Sequence, residues 1–201
     1  MTGKILLSTA YLPPIEYLSH ILGANEVFIE KEENYLKQSY RNRCYILSAG
    51  GPQLLTIPVY KGSLHKTPVK EIRIDYSKRW QHIHLRALSS SYESSPYFIY
   101  YFEIIEKIIL SGYEYLLDLN MELLQALLTI MKIEARINYT TDFQPIGNAD
   151  NDLRYTINPK KDTGYKAKKY IQVFTVEKDF VQGLSIVDLI FNAGGDALYY
   201  L

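Results

Sequence analysis

Apolar residues fall into short runs typical of strands and longer repeats typical of helices, and the order of these patterns predicts an α/β fold. The first two runs, Lys4 to Thr9 and Glu26 to Glu30, are predicted strands. Between them a helical repeat begins at Pro14 and ends at Gly23, residues that suit the start and the end of a helix. The chain therefore opens with a βαβ-like unit, whose first loop would lie at the carboxyl edge of the sheet, where ligands usually bind.

Later apolar runs predict further strands. These are Arg43 to Ser48, Leu54 to Tyr60, Lys70 to Asp75, Ala135 to Tyr139 and Tyr170 to Val176. Gly50, Gly51 and Pro52 separate the first two runs, and these turn-forming residues predict a hairpin.

Four more helices are predicted after the hairpin. One follows Ser77, one starts at Ser94-Ser95-Pro96, one is capped by Asn120, and one runs from a capping-box variant at Ser185 to Asp188 as far as Gly194-Gly195. In the first of them Trp80 and His84 fall on the inward stripe, whereas His82 does not.

Together these elements predict an α/β fold, with a mixed β-sheet that has an opening βαβ-like unit and is packed by several helices. We expect a single domain over residues 1–201. Residues 147–169 lose periodicity and become polar and basic, which predicts a functional or a mobile loop because structureless segments of that length are uncommon in compact domains.

Composition narrows the class of protein. The 22 Lys and Arg residues balance 22 Asp and Glu residues, and this zero net charge argues against general nucleic-acid binding. No apolar run reaches the roughly 18 residues of a membrane span, and the run after Lys4 is too short for a secretory signal. Since Cys44 is the sole cysteine, no internal disulfide can form, and we expect a cytoplasmic protein.

Tyrosine is unusually frequent, at 19 of 201 residues. Phenol rings suit half-buried shell positions as well as sugar or nucleotide pockets. Other tyrosines mostly lie beside helix packing stripes or near the end of the sequence, namely Tyr97, Tyr100, Tyr101, Tyr113, Tyr115, Tyr199 and Tyr200. The candidates for a pocket are Tyr11, Tyr35, Tyr40 and Tyr92.

The densest group of polar residues lies between two predicted strands. It contains Lys37, Gln38, Ser39, Tyr40, Arg41, Asn42 and Arg43. Guanidinium groups match carboxylate or phosphate and tyrosine rings can stack on a sugar or base, so this segment is a candidate anion pocket. The alternative is that Arg41 and Arg43 pair with the preceding acidic residues Glu30, Glu32 and Glu33, and the sequence leaves both readings open.

His84 is the best candidate for a general acid or base, because imidazole transfers protons near neutral pH. A histidine on an inward helix stripe is more often a hydrogen-bonded core residue than a catalytic one. No third ligand accompanies His82 and His84, and no phosphate-loop, dinucleotide-binding or zinc motif occurs, so the sequence predicts neither a metal nor a cofactor.

Five segments together resemble the WbqC-like protein family. They are Tyr11-Leu12-Pro13-Pro14 with Tyr17; Lys37 to Arg43; Leu55 to Val59; Trp80 with His84, Tyr92 and Ser95-Pro96; and Tyr170 to Phe174 with Leu184 to Asn192. They cover nearly the whole chain in order, in a short form that looks like the one found in Bacteroidetes. The resemblance implies a bacterial protein that helps to make or decorate O-antigen or another surface polysaccharide, without specifying a reaction.

The resemblance and the cationic segment lead to one hypothesis, a transferase that attaches an acyl or aminoacyl group to a nucleotide- or lipid-linked amino sugar. His84 would accept the proton. The expected substrate-binding residues are Tyr11, Lys37, Tyr40, Arg41, Asn42, Arg43, Trp80 and Tyr92. The expected partner is a nucleotide sugar or another phosphorylated small molecule, and the oligomeric state stays open.

A second hypothesis is a non-catalytic partner that stabilises or positions a polysaccharide enzyme or a carrier protein. Many relatives carry His-Gln-Pro just after the first strand, where this chain has Ser8-Thr9-Ala10. A closed pocket joining Arg41, Arg43 and His84 would favour the enzyme, whereas dispersed side chains and a broad exposed tyrosine surface would favour the partner.

Overall fold

The computed structural model describes residues 2–60, 66–146, 151–174 and 179–201. The strands are β1 (Thr2–Leu7), β2 (Ala24–Ile29), β3 (Arg43–Ser48), β4 (Gly51–Thr56) and β5 (Ile137–Tyr139). The helices are α1 (Ile15–Leu22), α2 (Trp80–Tyr92), α3 (Phe98–Leu110), α4 (Leu116–Ile130) and α5 (Ile186–Ala193), with 3-10 helices at Val69–Glu71 and Gly194–Tyr200.

Three strands form a parallel sheet in the order β1-β2-β5. Leu7 pairs with Ile29, and Ile29 pairs with Tyr139. In β2 the alternate residues Val27 and Ile29 are almost fully buried, because one face of the strand packs into the hydrophobic core. In β1 the consecutive residues Ile5, Leu6 and Leu7 are all buried. The predicted βαβ opening and the α/β class with a mixed set of strands are confirmed.

The segment Asn151–Leu153 extends this sheet beyond β1. Leu6 donates its backbone N–H to the carbonyl of Asn151 at 3.0 Å, and Leu153 donates to the carbonyl of Leu6 at 2.9 Å. The pairing is parallel. The carboxyl end of this short segment therefore lies at the same edge of the sheet as the ends of β1, β2 and β5.

The predicted hairpin is present as the antiparallel pair of β3 and β4. Its second strand begins at Gly51, earlier than predicted, because the turn is completed at Gly50 and Gly51 adopts a positive φ of 109° that favours glycine. Ser48 and Gly51 are the first pair of the ladder.

Two predicted strands are not observed. Over Lys70 to Asp75 the chain forms the 3-10 helix Val69–Glu71 and then isolated bridges at Arg73 and Ile74, since Pro68 starts a tight turn with Glu71 donating to its carbonyl at 2.9 Å. In the run from Tyr170 to Val176, residues 170–174 belong to no strand, and residues 175 and 176 lie outside the described part.

The helix predictions succeed except at two caps. Asn120 lies inside α4 rather than at its start, because the apolar repeat already begins at Leu116. At α5 the Ser185 hydroxyl accepts from the N–H of Val187 as predicted, but the Asp188 carboxylate turns into the core instead of closing a capping box. Gly194 ends α5, and a Cβ at this position would lie 2.3 Å from the Tyr97 ring.

The predicted polar loop at 147–169 falls partly outside the described residues. Its part from 151 to 169 contains no helix and, apart from the bridge to β1, no strand pairing. No helix in the described residues has the length and apolarity needed to span a bilayer.

Candidate functional site

A polar residue follows each parallel strand directly at the carboxyl edge of the sheet. Ser8 follows β1, Glu30 follows β2, Thr140 follows β5 and Arg154 follows the Asn151–Leu153 extension. All of them are at most 8% exposed. Because parallel α/β sheets bind ligands outside the carboxyl ends of their strands, these residues mark the candidate site. With their ionic partners we call them the carboxyl-edge cluster, which comprises Ser8, Glu30, Glu33, Arg41, Thr140, Asp152 and Arg154.

The first ion pair of the cluster joins Arg41 to Glu33. Nε and Nη2 of Arg41 donate to the two carboxylate oxygens at 2.9 and 2.5 Å, and Nη2 also donates to Oγ of Ser8 at 2.6 Å. The Arg41 and Glu33 side chains are 2% and 0% exposed. Burial raises the pKa of the Glu33 carboxyl, although the Arg41 charge acts to lower it. Of the two sequence-based readings, the structure therefore shows Arg41 paired with a glutamate of the acidic run.

The second group of charges centres on Arg154. Its guanidinium donates to Asp152 at 2.9 and 2.7 Å and to Glu30 at 3.2 Å. Glu30 also accepts from the Thr140 hydroxyl at 2.7 Å and from the backbone N–H of Gln144 at 2.9 Å. Burial acts to raise the pKa of Asp152, but the Arg154 hydrogen bonds and charge hold it below its usual value. Each buried charge in the cluster thus has an oppositely charged partner.

Tyr155 contacts both arginines of the cluster. Cζ of Arg41 lies 5.9 Å from the centre of this ring, and Cζ of Arg154 lies 5.6 Å from it. These are cation–π distances, so the aromatic ring holds two positive groups near one another without neutralising either.

Two cavities meet at Tyr40. A narrow inner cavity of about 10 Å³, close to the volume that one water occupies, is lined by Ser8, Arg41 and Arg154 together with Tyr40. An outer, half-open pocket of about 320 Å³ lies on the other side of Tyr40. Further residues of its wall are Glu16, Tyr45, Lys161, Asp162, Tyr165 and Gln182. The polar segment after Asn151 therefore supplies one wall of the outer pocket, which we call the Tyr40 pocket.

The structure places His84, the expected general acid or base, in the hydrophobic core and not in either cavity. It is 3% exposed, its Nδ1 lies 2.9 Å from the Tyr11 hydroxyl, and its ring packs against Trp80 at 5.2 Å. Burial lowers the pKa of His84 to about 4, opposed by a hydrogen bond with the backbone of Thr56. His84 is therefore neutral at physiological pH and serves as a hydrogen-bonding core residue.

The other expected site residues lie in several different environments. Tyr92 is buried and accepts from the N–H of Leu47 at 2.9 Å, and Asn42 donates to the carbonyl of Ile57 at 2.8 Å. Lys37 is exposed, and Arg43 is half-buried with no hydrogen-bond partner for Nε among the described residues. Of the expected residues, Tyr40 and Arg41 thus reach the candidate site, while His84, Trp80 and Tyr92 pack elsewhere.

The final pair of sequence motifs meets at a buried carboxylate. Asp188 is 0% exposed and accepts from the hydroxyl of Tyr170 and, at 3.2 Å, from the side-chain amide of Gln172. Burial raises the pKa of Asp188. These contacts attach the segment around Tyr170 to α5, which gives the motifs a structural role.

Sequence reasoning did not assign site roles to Ser8, Thr140 and Arg154, and it considered Glu30 and Glu33 only as partners of Arg41 and Arg43. The available signal was their position, since polar residues directly follow the apolar runs of a parallel sheet. Across the described residues, no group of three or more His, Cys, Asp and Glu side chains is arranged to hold a metal ion.

A family model described as the WbqC-like protein family matches residues 9–164. The chain is also similar to Uncharacterized protein Rv1507c of Mycobacterium tuberculosis, with 26% identity over 228 aligned residues that cover all of this chain and 98% of the mycobacterial protein. No solved structure matches. The family match confirms the resemblance that the sequence motifs carried.

Proposed function

The chain belongs to the WbqC-like protein family, and from this premise we propose that it is a transferase of surface-polysaccharide or O-antigen biosynthesis. It attaches an acyl or aminoacyl group to a nucleotide- or lipid-linked amino sugar. The Tyr40 pocket binds the sugar, and the carboxyl-edge cluster stabilises the reacting groups.

The observation that carries this proposal is that Tyr40 lines both the outer pocket and the inner cavity beside Arg41 and Arg154. Rings of Tyr40, Tyr45 and Tyr165 offer apolar faces to a sugar, and nearby carboxylates and amides suit its hydroxyls. Burial raises the pKa of Tyr40 to about 12, so its hydroxyl stays protonated and can donate a hydrogen bond.

The reaction needs an activated acyl donor such as an acyl thioester. The amino nitrogen of the sugar attacks the carbonyl carbon, the carbon–sulfur bond breaks, and the thiol leaves with the proton that the amine loses. In this proposal the guanidinium groups of Arg41 and Arg154, which line the inner cavity, donate hydrogen bonds to the carbonyl oxygen on which negative charge develops. Glu33 is a positioning residue in this proposal, because it holds Arg41 but does not line the cavity, and His84 has no part in the reaction.

A thermal-shift titration with nucleotide-linked amino sugars, combined with mass spectrometry after addition of acyl thioesters, tests the proposal. A ligand that binds the native state raises the melting temperature. We expect a shift in the unmodified protein and in the control Tyr199→Ala, whose side chain is 78% exposed, and loss of the shift in Tyr40→Ala. A shift that survives in Tyr40→Ala, or no shift with any nucleotide- or lipid-linked amino sugar, overturns the proposal.

The same experiment addresses the second hypothesis of a non-catalytic partner. This hypothesis is supported by the dispersal of Arg41, Arg43 and His84, since Arg41 is paired with Glu33 and His84 is buried in the core. Ser8 also occupies the start of the stretch in which many relatives have His-Gln-Pro. Sugar binding without an acylated product would favour a protein that presents the sugar to another enzyme.

A further inference from the structure

Helix α2 has a second, solvent-facing side that the proposed function does not use. While His84 and Trp80 point into the core, an open groove of about 750 Å³ runs along the outer side of α2, beside Gln53 of β4. We call it the α2 groove. Its other lining residues are Arg79, His82, Ile83, Arg86, Ala87 and Ser90.

The α2 groove carries positive charge that no lining residue offsets. Arg79 and Arg86 line it, and no acidic side chain does so among the described residues. The whole helix from Trp80 to Tyr92 contains neither Asp nor Glu. The exposed Arg73 pairs with Glu114, whereas neither Arg79 nor Arg86 forms an ion pair among the described residues.

The arrangement along the groove has a cation near each end and an apolar centre. Arg79 and Arg86 are seven positions apart, which corresponds to roughly 10 Å along a helix axis. Between them Ile83 is 61% exposed. A partner helix with two acidic residues flanking an apolar one matches this spacing of the backbone positions.

We propose that the α2 groove docks an acidic amphipathic helix of a protein partner. Ile83 contacts its apolar face, the largely buried Ala87 lies at the floor of the groove, and Arg79 and Arg86 pair with the carboxylates of the partner. An apolar centre with a charged rim is the common anatomy of protein interfaces, and the rim charges steer the partner. This inference goes beyond the proposed transferase activity.

The docked helix leaves the Tyr40 pocket open. Tyr45 and Pro52 line that pocket, whereas Gln53 lines the α2 groove. Since neighbouring residues of a strand point to opposite faces, the two sites lie on opposite sides of the β3–β4 hairpin. A partner and a sugar can therefore be bound at the same time.

The test uses a fluorescently labelled, alanine-rich helical peptide with glutamates at the spacing of Arg79 and Arg86 and a leucine between them. Binding is followed by fluorescence anisotropy. We expect saturable binding that weakens about tenfold in the double variant Arg79→Gln/Arg86→Gln and weakens as salt increases. Ile83→Ala is expected to weaken it about threefold. The matched control, Arg136→Gln, changes another exposed arginine and should bind like the unmodified protein.

Three outcomes overturn this proposal. One is equal binding of a peptide with lysines in place of the glutamates, and another is equal weakening by Arg136→Gln. The third is binding of inorganic pyrophosphate that depends on Arg79 and Arg86 while the acidic peptide does not bind, which would identify a small-anion site. Melting temperatures verify that each variant is folded, and the thermal shift with amino sugars should stay unchanged, so this proposal and the transferase proposal can fail separately.

Discussion

The carboxyl-edge cluster and the surroundings of His84 solve the same problem, the burial of polar side chains, in two different ways. In the cluster, Glu33 and Arg41 are both charged and offset each other. At His84 the charge is removed, since burial lowers the pKa of the imidazole to about 4 and its neutral ring binds Tyr11. Retaining buried charges is costly compared with apolar packing. The cluster is therefore the candidate site that we propose, whereas His84 lies in the core as a hydrogen-bonded residue.

The largest expected effect comes from breaking the cluster. Glu33→Gln leaves the Arg41 guanidinium buried without a compensating charge, and we expect the free energy of unfolding to fall by about 3 to 5 kcal/mol. Urea denaturation measures this loss. A loss below about 1 kcal/mol would contradict the claim that Arg41 depends on Glu33 for its burial.

The second prediction tests the neutral state of His84. In the unfolded chain the imidazole binds a proton below its ordinary pKa of 6.5, whereas in the folded protein it does so only below about 4. Stability is therefore fully present above pH 6.5 and is lost as the pH falls toward 4, by about 2 to 3 kcal/mol. Urea denaturation at pH 7 and pH 4.5 should show this contribution in the unmodified protein and not in His84→Gln. An identical pH dependence in both proteins would exclude a depressed His84 pKa.

A smaller loss is expected from Tyr11→Phe. The substitution removes the hydroxyl that meets Nδ1 of His84 at 2.9 Å and leaves this buried nitrogen without a partner, at a cost of about 1 to 2 kcal/mol. The control Tyr76→Phe removes a hydrogen bond to the Tyr113 carbonyl from a ring that is 37% exposed, so it should cost less. Equal losses in Tyr11→Phe and Tyr76→Phe would contradict the claim that burial increases the cost of removing the Tyr11 hydroxyl.

The smallest effect is expected at an exposed ion pair with the same chemistry as the cluster. Arg73 and Glu114 are 60% and 53% exposed, and Glu114→Gln should change the free energy of unfolding by less than about 1 kcal/mol. The difference between this loss and the loss in Glu33→Gln gives the contribution of burial to the free energy of unfolding. Equal losses in the two variants would remove the distinction between the cluster and the surface.

Local patterns predicted much of the fold because they act over a few residues. Pro14 and Gly23 bound α1, and the spacing of Trp80 and His84 predicted correctly that both face inward. The prediction of a strand at Lys70 to Asp75 was wrong, because alternation of apolar and polar residues does not by itself supply a neighbouring strand. Ile72 and Ile74 are buried as that alternation requires, but the preceding backbone turns at Pro68.

The site was harder to predict because its contacts join distant parts of the chain. Arg154 meets Glu30 across 124 residues, and Ser8 meets the carbonyl of Arg154 across 146. A single sequence shows that cations and carboxylates are present but not which of them pair. Two pairs of the cluster are local in the sequence: Arg41 with Glu33, eight residues apart, and Arg154 with Asp152, two residues apart.

The extension of the sheet by Asn151–Leu153 has a consequence for the behaviour of the protein at high concentration. An uncovered outer edge of β1 would offer free N–H and C=O groups to a strand of another molecule, a common route to aggregation. The extension takes up the N–H and the carbonyl of Leu6, and it is anchored by Arg154, the next residue, through Glu30. The Arg154–Glu30 salt bridge therefore also keeps this edge covered. A variant without this salt bridge would be prone to self-association through β1 before the whole chain unfolded.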